Sequence, residues 1–400
     1  MPGRQSTAEC TLLDFPYFGE GYVGRGYDGS GYDGRIVMMD LEAHDSEAGY
    51  VGDETLDGGE DSCTSDSMNA LAERRELPAW RSWELLAGSS ELDEFGKGRR
   101  PAGYFELPMT EEASVFYREN GYLVIENGFS VSEIDQLRGE ALAICRGERG
   151  KVGGMPELRG DESDEEVLRQ VLCIHFPHII SPLVDGCLGH RAFVDVLTEV
   201  VSPNVKCMQS MLFIKASGKP GQAWHQDEVY IPTRDRSLVG GWIAMDDATV
   251  ENGCLWVIPG SHRRGVMYFQ EWHGDDRFDC SHEATRFPWS NDDAVPVEVK
   301  AGSIVFFNGY LLHRSLPNYA QSGFRRSLVN HYMSAESLLP WYDGVNAQSG
   351  NFATLDNRNV KMIAGVDPYA FRGYSDHVGT HVRPDGKGGC GNFEYNKKSH

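Results

Sequence analysis

His225 and Asp227, one residue apart in Trp224-His225-Gln226-Asp227-Glu228, and His313 farther along the chain carry the donor atoms with the clearest chemical meaning. Two imidazoles and one carboxylate on one face of a divalent ion leave the opposite positions open, the ligand set used for oxygen activation at non-haem Fe(II). Arg325 follows twelve residues after His313, and a guanidinium there can hold a carboxylate through two parallel hydrogen bonds. Taken singly, the His-x-Asp pair is explained by ordinary polar surface residues, His313 by a satisfied strand-end histidine and Arg325 by an ion pair. Their joint order and spacing favour the chemical reading.

The elements that must position these groups are strands. Alternate side chains of an extended chain share a face, so one short strand is expected to present His225 and Asp227 together while Gln226 points away. His313 ends the apolar run that begins at Gly302 and contains Asn308-Gly309, and it is expected to lie across a barrel from His225. In the alternating run 323–332, Arg325 and Ser327 share a face and Arg326 takes the other. Arg325 is therefore the expected anchor, with Ser327 adding a hydroxyl.

Upstream, the pattern is helical. Thr110-Glu111-Glu112-Ala113 predicts a short capped helix, and Ser130-Val131-Ser132-Glu133 is a capping box ahead of Ile134, Leu137, Ala141 and Leu142 on one face. Further amphipathic helices are predicted from near Asp164 and from about Arg191 to Val201. After Asn204 the chain breaks into short apolar runs separated by Gly, Pro and Asn, the signature of many strands and turns. Helices first and a long β region after them predict a mainly β fold with flanking helices. The expected form is a double-stranded β-helix, a cupin-like jelly-roll barrel buttressed by N-terminal helices.

From about Leu107 to about Trp341 the chain resembles the phytanoyl-CoA dioxygenase-like enzymes among the Fe(II)/2-oxoglutarate oxygenases. The resemblance is carried by Glu119-Asn120-Gly121-Tyr122-Leu123-Val124-Ile125-Glu126, by 240–248, by Glu251-Asn252-Gly253-Cys254-Leu255-Trp256-Val257-Ile258-Pro259-Gly260-Ser261-His262-Arg263, and by the His225, Asp227, His313 and Arg325 series. It implies Fe(II) held by His225, Asp227 and His313, 2-oxoglutarate anchored by Arg325, and O2 as oxidant. It also implies Gln209 and Trp242 near the cosubstrate. The implied reaction oxidises a C–H bond of a small organic substrate, with succinate and CO2 as co-products. Related halogenases carry a small residue where this chain has Asp227, so the resemblance implies an oxygenase. A cupin-like isomerase or hydrolase on the same ligands, and a non-catalytic binding protein on the same barrel, are the alternatives.

Composition is consistent with this. The chain has 400 residues, 40% of them hydrophobic, enough for one large core with appendages. Its net charge of -23 at pH 7 argues against nucleic acid as a partner. It does not exclude a small anion, because a buried arginine outweighs distant screened charge. No apolar run reaches membrane-spanning length, so no membrane association is expected. The nine cysteines are scattered without a Cys-x-x-Cys pair, which points to reduced thiols and a cytoplasmic location.

Domain organisation is expected to be an acidic, Gly/Tyr-rich extension over 1–105, an oxygenase domain over 106–345 and a partly flexible extension over 346–400. The first repeats Gly-Tyr-x-Gly between Gly21 and Gly34 and has too few core formers to order itself, with Trp80 and Trp83 as possible docking residues. Among the remaining histidines, His175 and His178 suit substrate contact better than a second metal, His262 suits the turn after Pro259, and His331 suits the pocket wall. Trp224, Tyr230, Trp256, Trp289 and Trp341 are either pocket wall or core. Arg234 and Arg236 are either a basic mouth or a solvated loop. The glycine-rich run 386–391 lacks the elements of a phosphate loop and reads as tail.

Overall fold

The sequence predicts a capping box at Ser130, and the structure forms it there and adds a second at Ser163. Ser130 accepts from the Glu133 amide while Glu133 accepts from the Ser130 amide, and Ser163 and Glu166 repeat the exchange. The protein is described here by a computed structural model covering residues 101–279, 282–337, 360–372 and 379–383. The expected N-terminal extension up to residue 100, with Trp80 and Trp83, lies outside the described residues, as do Trp341 and the 386–391 run.

The chain runs through β1 (Tyr104–Phe105), α1 (Glu111–Asn120), β2 (Tyr122–Ile125), α2 (Val131–Cys145), α3 (Asp164–Arg169), β3 (Cys173–His175), α4 (Pro182–Leu188) and α5 (Arg191–Val200). The β region follows with β4 (Val205–Ala216), β5 (Gln222–His225), β6 (Val239–Ala244), β7 (Leu255–Val257), β8 (Phe269–Trp272), β9 (His282–Thr285), β10 (Val295–Val297), β11 (Ile304–Asn308), β12 (His313–Ser315) and β13 (Phe324–Ser334). Two further strands, β14 (Lys361–Ala364) and β15 (His381–Val382), come from the region expected to be an extension. β14 pairs with β4, and β15 pairs with β3.

The large sheet has the order β1-β2-β11-β6-β13-β4-β3-β15, and the small sheet β10-β7-β12-β5. Every pairing but β1 with β2 is antiparallel. The jelly roll is thus a sandwich of two facing sheets, and no strand pairing joins the two sheets among the described strands.

Strand alternation divides the large sheet between two cores. Leu123, Ile125, Leu212, Ile243, Phe306 and Leu328 face the helices with Ile134, Phe193 and Leu197. Tyr122, Val124, Phe213, Trp242, Phe307 and Val329 fill the space between the sheets with Leu255 and Val257. Gly240 and Gly241 on β6 are the close-approach points, since a Cβ on the first would meet the Phe307 ring and one on the second the Phe193 ring. No helix among the described residues is long and apolar enough to cross a membrane.

Candidate metal centre

β5 ends at His225, and its last residues set the site. Trp224 turns outward onto Phe287, while His225 turns inward and its Nδ1–H donates to the Ala223 carbonyl at 2.7 Å. That bond leaves the Nε2 lone pair directed into the pocket. The expectation that one strand carries both ligands is corrected in detail, because Asp227 opens a 3-10 turn over Asp227–Val229. Gln226 nevertheless stays extended at φ -126 and ψ 128, so the alternation survives one residue past the strand. Its amide faces away, donating to the Val266 and Tyr310 carbonyls and accepting from the Tyr268 amide.

His313 also differs from expectation. The turn at Asn308-Gly309-Tyr310 takes the chain out of β11 and into the other sheet, so His313 begins its own strand, β12. There it is the cross-strand partner of His225, not a residue across a barrel from it. Its Nδ1–H donates to the Leu311 carbonyl at 3.0 Å, repeating the His225 arrangement. Asp227 Oδ1 lies 3.7 Å from His225 Nε2 and 3.6 Å from His313 Nε2. Each of the three residues offers one donor atom, and these atoms lie within 4.8 Å of one another, all buried. One ion with bonds of about 2.1 Å can reach such a set after small side-chain movements. It is the one group of three or more such donors among the described residues.

The second carboxylate oxygen is already engaged. His331 on β13 lies with its Nε2 3.0 Å from Asp227 Oδ2. Because the carboxylate can only accept, the imidazole donates and Oδ1 alone is left facing the two histidines. Burial opposes the Asp227 charge, but His313 and His331 outweigh it and hold the carboxyl well below the usual carboxylate range. Changing His331 to Phe removes this donor and is expected to weaken Fe(II) binding about 10- to 100-fold. Chelator competition under anaerobic conditions measures it, and an unchanged affinity would reduce His331 to packing.

His225 is kept neutral. Burial, and then His313, push its imidazole down from 6.5 to about 3. The unfolded chain therefore takes up a proton near pH 6.5 that the metal-free folded chain refuses, and this contribution to stability is present above 6.5 and lost as the pH falls toward 3. NMR of the metal-free protein should show no protonation of His225 between pH 8 and pH 4, taking the lower bound about one unit above that value. A midpoint near the ordinary histidine value would show the ring to be solvated.

Arg325 is 3% exposed, donates from its guanidinium to Ser327 Oγ at 2.9 Å and lies 5.4 Å from the centre of the Trp242 ring. Its Nε has no partner, and no carboxylate lies within ion-pair distance of it among the described residues. Burial lowers its pKa to about 10, so it stays charged at pH 7. Arg326, on the opposite face, is held by Asp246 at 2.7 and 2.8 Å. His225, Asp227, His313, Trp242, Arg325 and His331 share one cleft that is partly open to solvent.

Other residues singled out in the sequence sit elsewhere. Gln209 is buried with its amide 3.3 Å from His175 Nδ1, outside the residues lining the cleft, and Ser327 lies behind Arg325. His175 stacks on His381, His178 bonds Ser210, and His262 bonds the Arg118 carbonyl beside Gly121. Trp224 and Trp289 belong to a further apolar cluster, and Trp256 packs against both that cluster and the inter-sheet core. Tyr230 meets the His225 ring edge-on, and Arg234 and Arg236 are exposed. Sequence reasoning missed Ser315, which lines the cleft two residues after His313, and Lys215 behind it. Their signal was strand alternation from His313 and from Phe213.

Comparison with known proteins gives the class first: the chain is an Fe(II)/2-oxoglutarate-dependent oxygenase. Residues 117–327, more than half of the sequence, match the family model "Phytanoyl-CoA dioxygenase (PhyH)", and the chain belongs to that family. It is 30% identical over 300 residues to the peroxisomal phytanoyl-CoA dioxygenase of Mus musculus, covering 68% of this chain and 81% of that one. A phytanoyl-CoA dioxygenase of Arabidopsis thaliana is 33% identical over 145 residues, 36% of this chain and 50% of its own length. Among solved structures, the non-heme monooxygenase ThoJ is similar at 18% identity with a TM-score of 0.49, over 64% of this chain and 84% of that one.

Proposed function

We propose that this chain hydroxylates a C–H bond of a small organic molecule, with His225, Asp227 and His313 holding Fe(II) and Arg325 holding the distal carboxylate of 2-oxoglutarate. The observation that carries the reading is the convergence of two histidines, each fixed by a backbone carbonyl, on the free oxygen of Asp227. The donor set fits Fe(II), and a buried arginine in the same cleft, with no acidic partner among the described residues, fits an anionic cosubstrate. When bound, iron and 2-oxoglutarate would supply the oxidising chemistry and release succinate and CO2.

The chain's own residues orient and shield. The carbonyls of Ala223 and Leu311 fix the two imidazoles, His331 keeps one Asp227 oxygen out of the set, and Met211, Phe213, Trp242, Leu255 and Phe307 exclude water around the anchor. Residues 106–345 are read as the oxygenase domain. The five described cysteines are buried and free, which supports a reducing, cytoplasm-like compartment.

The test is succinate release from 2-oxoglutarate with and without Fe(II), across a substrate panel that begins with phytanoyl-CoA, the compound named in the mouse relative. Iron-dependent succinate is the expected result. Its absence under all conditions would turn the assignment toward an isomerase, a hydrolase or a binding protein on the same fold.

A further inference from the structure

β5 carries a metal ligand, yet little within its own sheet holds it in place. It is four residues long and lies at the edge of the small sheet, paired among the described strands to β12 alone. Its register also slips, since His225 faces His313 but Gln222 faces Ser315, so β5 spends one residue more than its partner over that stretch. A bulge of this kind re-aims a side chain, and Gln222 lines the cleft together with His225.

What fixes the strand lies at its other edge. Gly221, the residue before β5, donates its N–H to the Arg277 carbonyl at 2.8 Å and accepts from the Asp279 N–H at 2.9 Å. It is pressed against β12, where a Cβ would meet the Ser315 carbonyl. Asp279 is 4% exposed, and its carboxyl accepts from the guanidinium of Arg383, which is 5% exposed. Arg383 in turn donates its backbone N–H to the Cys173 carbonyl of β3 at 2.9 Å, and its guanidinium lies 5.1 Å from the centre of the Phe213 ring in the cleft wall. The residues before it are held on both sides. His381 pairs with His175 of β3, while Gly153 donates to the Thr380 carbonyl and accepts from the Val382 N–H, both at 2.8 Å. A continuous path of contacts therefore runs from β5 through Asp279 and Arg383 to the large sheet. Burial raises the Asp279 pKa and Arg383 opposes it, but the path does not depend on ionisation, because the guanidinium donates to the carboxyl oxygen in either form.

We infer that Arg383 and Asp279 are a positioning pair for the metal centre, holding β5 in the register that aims His225. Arg383 lies beyond residue 327, where the family match ends, so the far C-terminal region contributes to the site. The inference rests on the proposed iron site and deepens it.

The experiment measures backbone amide exchange in the metal-free protein and Fe(II) affinity by anaerobic chelator competition. The proteins compared are wild type, Arg383→Met, Arg383→Lys and the double variant Asp279→Ala/Arg383→Ala. Arg383→Met is expected to speed exchange at residues 221–225 about 10- to 100-fold while β2 and β11 keep wild-type rates. Its Fe(II) affinity should fall about 10-fold. Arg383→Lys keeps a donor and should recover part of both effects. Wild-type exchange at 221–225 in Arg383→Met, equal acceleration in β2 and β11, or faster exchange with unchanged Fe(II) affinity would overturn the inference. Removing Arg383 alone leaves a buried acid without its partner. If that variant fails to fold, the double alanine variant, which leaves no such acid, decides by the same outcomes. Wild type that binds no Fe(II) overturns the proposed function, whereas exchange at 221–225 still decides whether the pair holds β5.

Discussion

Replacing Asp227 with alanine is expected to leave a folded protein that no longer retains Fe(II) and releases no succinate above background. The carboxylate lies between two histidine nitrogens and supplies the only negative charge of the triad. A four-ligand structural zinc site draws about 10–16 kcal/mol from its donors. By that scale, losing one donor removes on the order of 3 kcal/mol, or about 100-fold in metal affinity, before any loss of geometry is counted. The fold should survive, because the substitution deletes a buried charge and leaves only the His331 donor unmet. Iron content, circular dichroism and succinate release are the three measurements. An Asp227→Ala protein that keeps its iron and hydroxylates at the wild-type rate would show that the carboxylate has been misassigned.

Arg325→Gln should raise the 2-oxoglutarate requirement much more than it lowers the rate at saturation. The side chain is buried, its guanidinium bonds only Ser327 among the described residues, and Trp242 covers its face. Truncating one partner of a buried hydrogen-bonded charge pair costs about 2–5 kcal/mol, so the requirement should increase at least about 30-fold. Arg325→Lys should recover little of this, since an ammonium cannot reproduce the planar fork. The check is succinate release titrated against 2-oxoglutarate. An unchanged requirement would move the anchoring role away from this strand, because Arg326 is committed to Asp246 on the other face.

Much of this arrangement was legible in the sequence where a local rule acts alone. The Ser130 and Ser163 caps lie within four-residue patterns, and the structure forms the Ser130 box at the predicted place and starts α3 at Asp164. The shared direction of His225 and Asp227 follows from one extended residue, and it holds although the strand stops at His225. The same alternation separates Arg325 from Arg326. What the chain alone does not reveal is which sheet a strand joins. His313 continues an apolar run that looks like one strand, yet a turn at Asn308-Gly309 moves it to the second sheet. Lys215 was illegible for a related reason, since a lysine inside an apolar strand reads as solvated until Ser315 is brought beside it from a hundred residues away. The aromatic residues around Trp224 were ambiguous because outward and inward faces of the small sheet are both covered.

The strands contributed by the far C-terminal region bear on how the molecule can be cut or fused. The family match ends at residue 327, yet β13 continues to Ser334, and β14 and β3 occupy the long edge of β4 opposite β13. β15 covers β3 in turn, and Arg383, just beyond it, neutralises Asp279. The segment recognised by similarity is therefore smaller than the cooperative unit that denaturation or proteolysis would encounter. Trimming to the matched boundary would bare backbone donors and acceptors to aggregation and strand a buried acid, so a fusion partner belongs after residue 383.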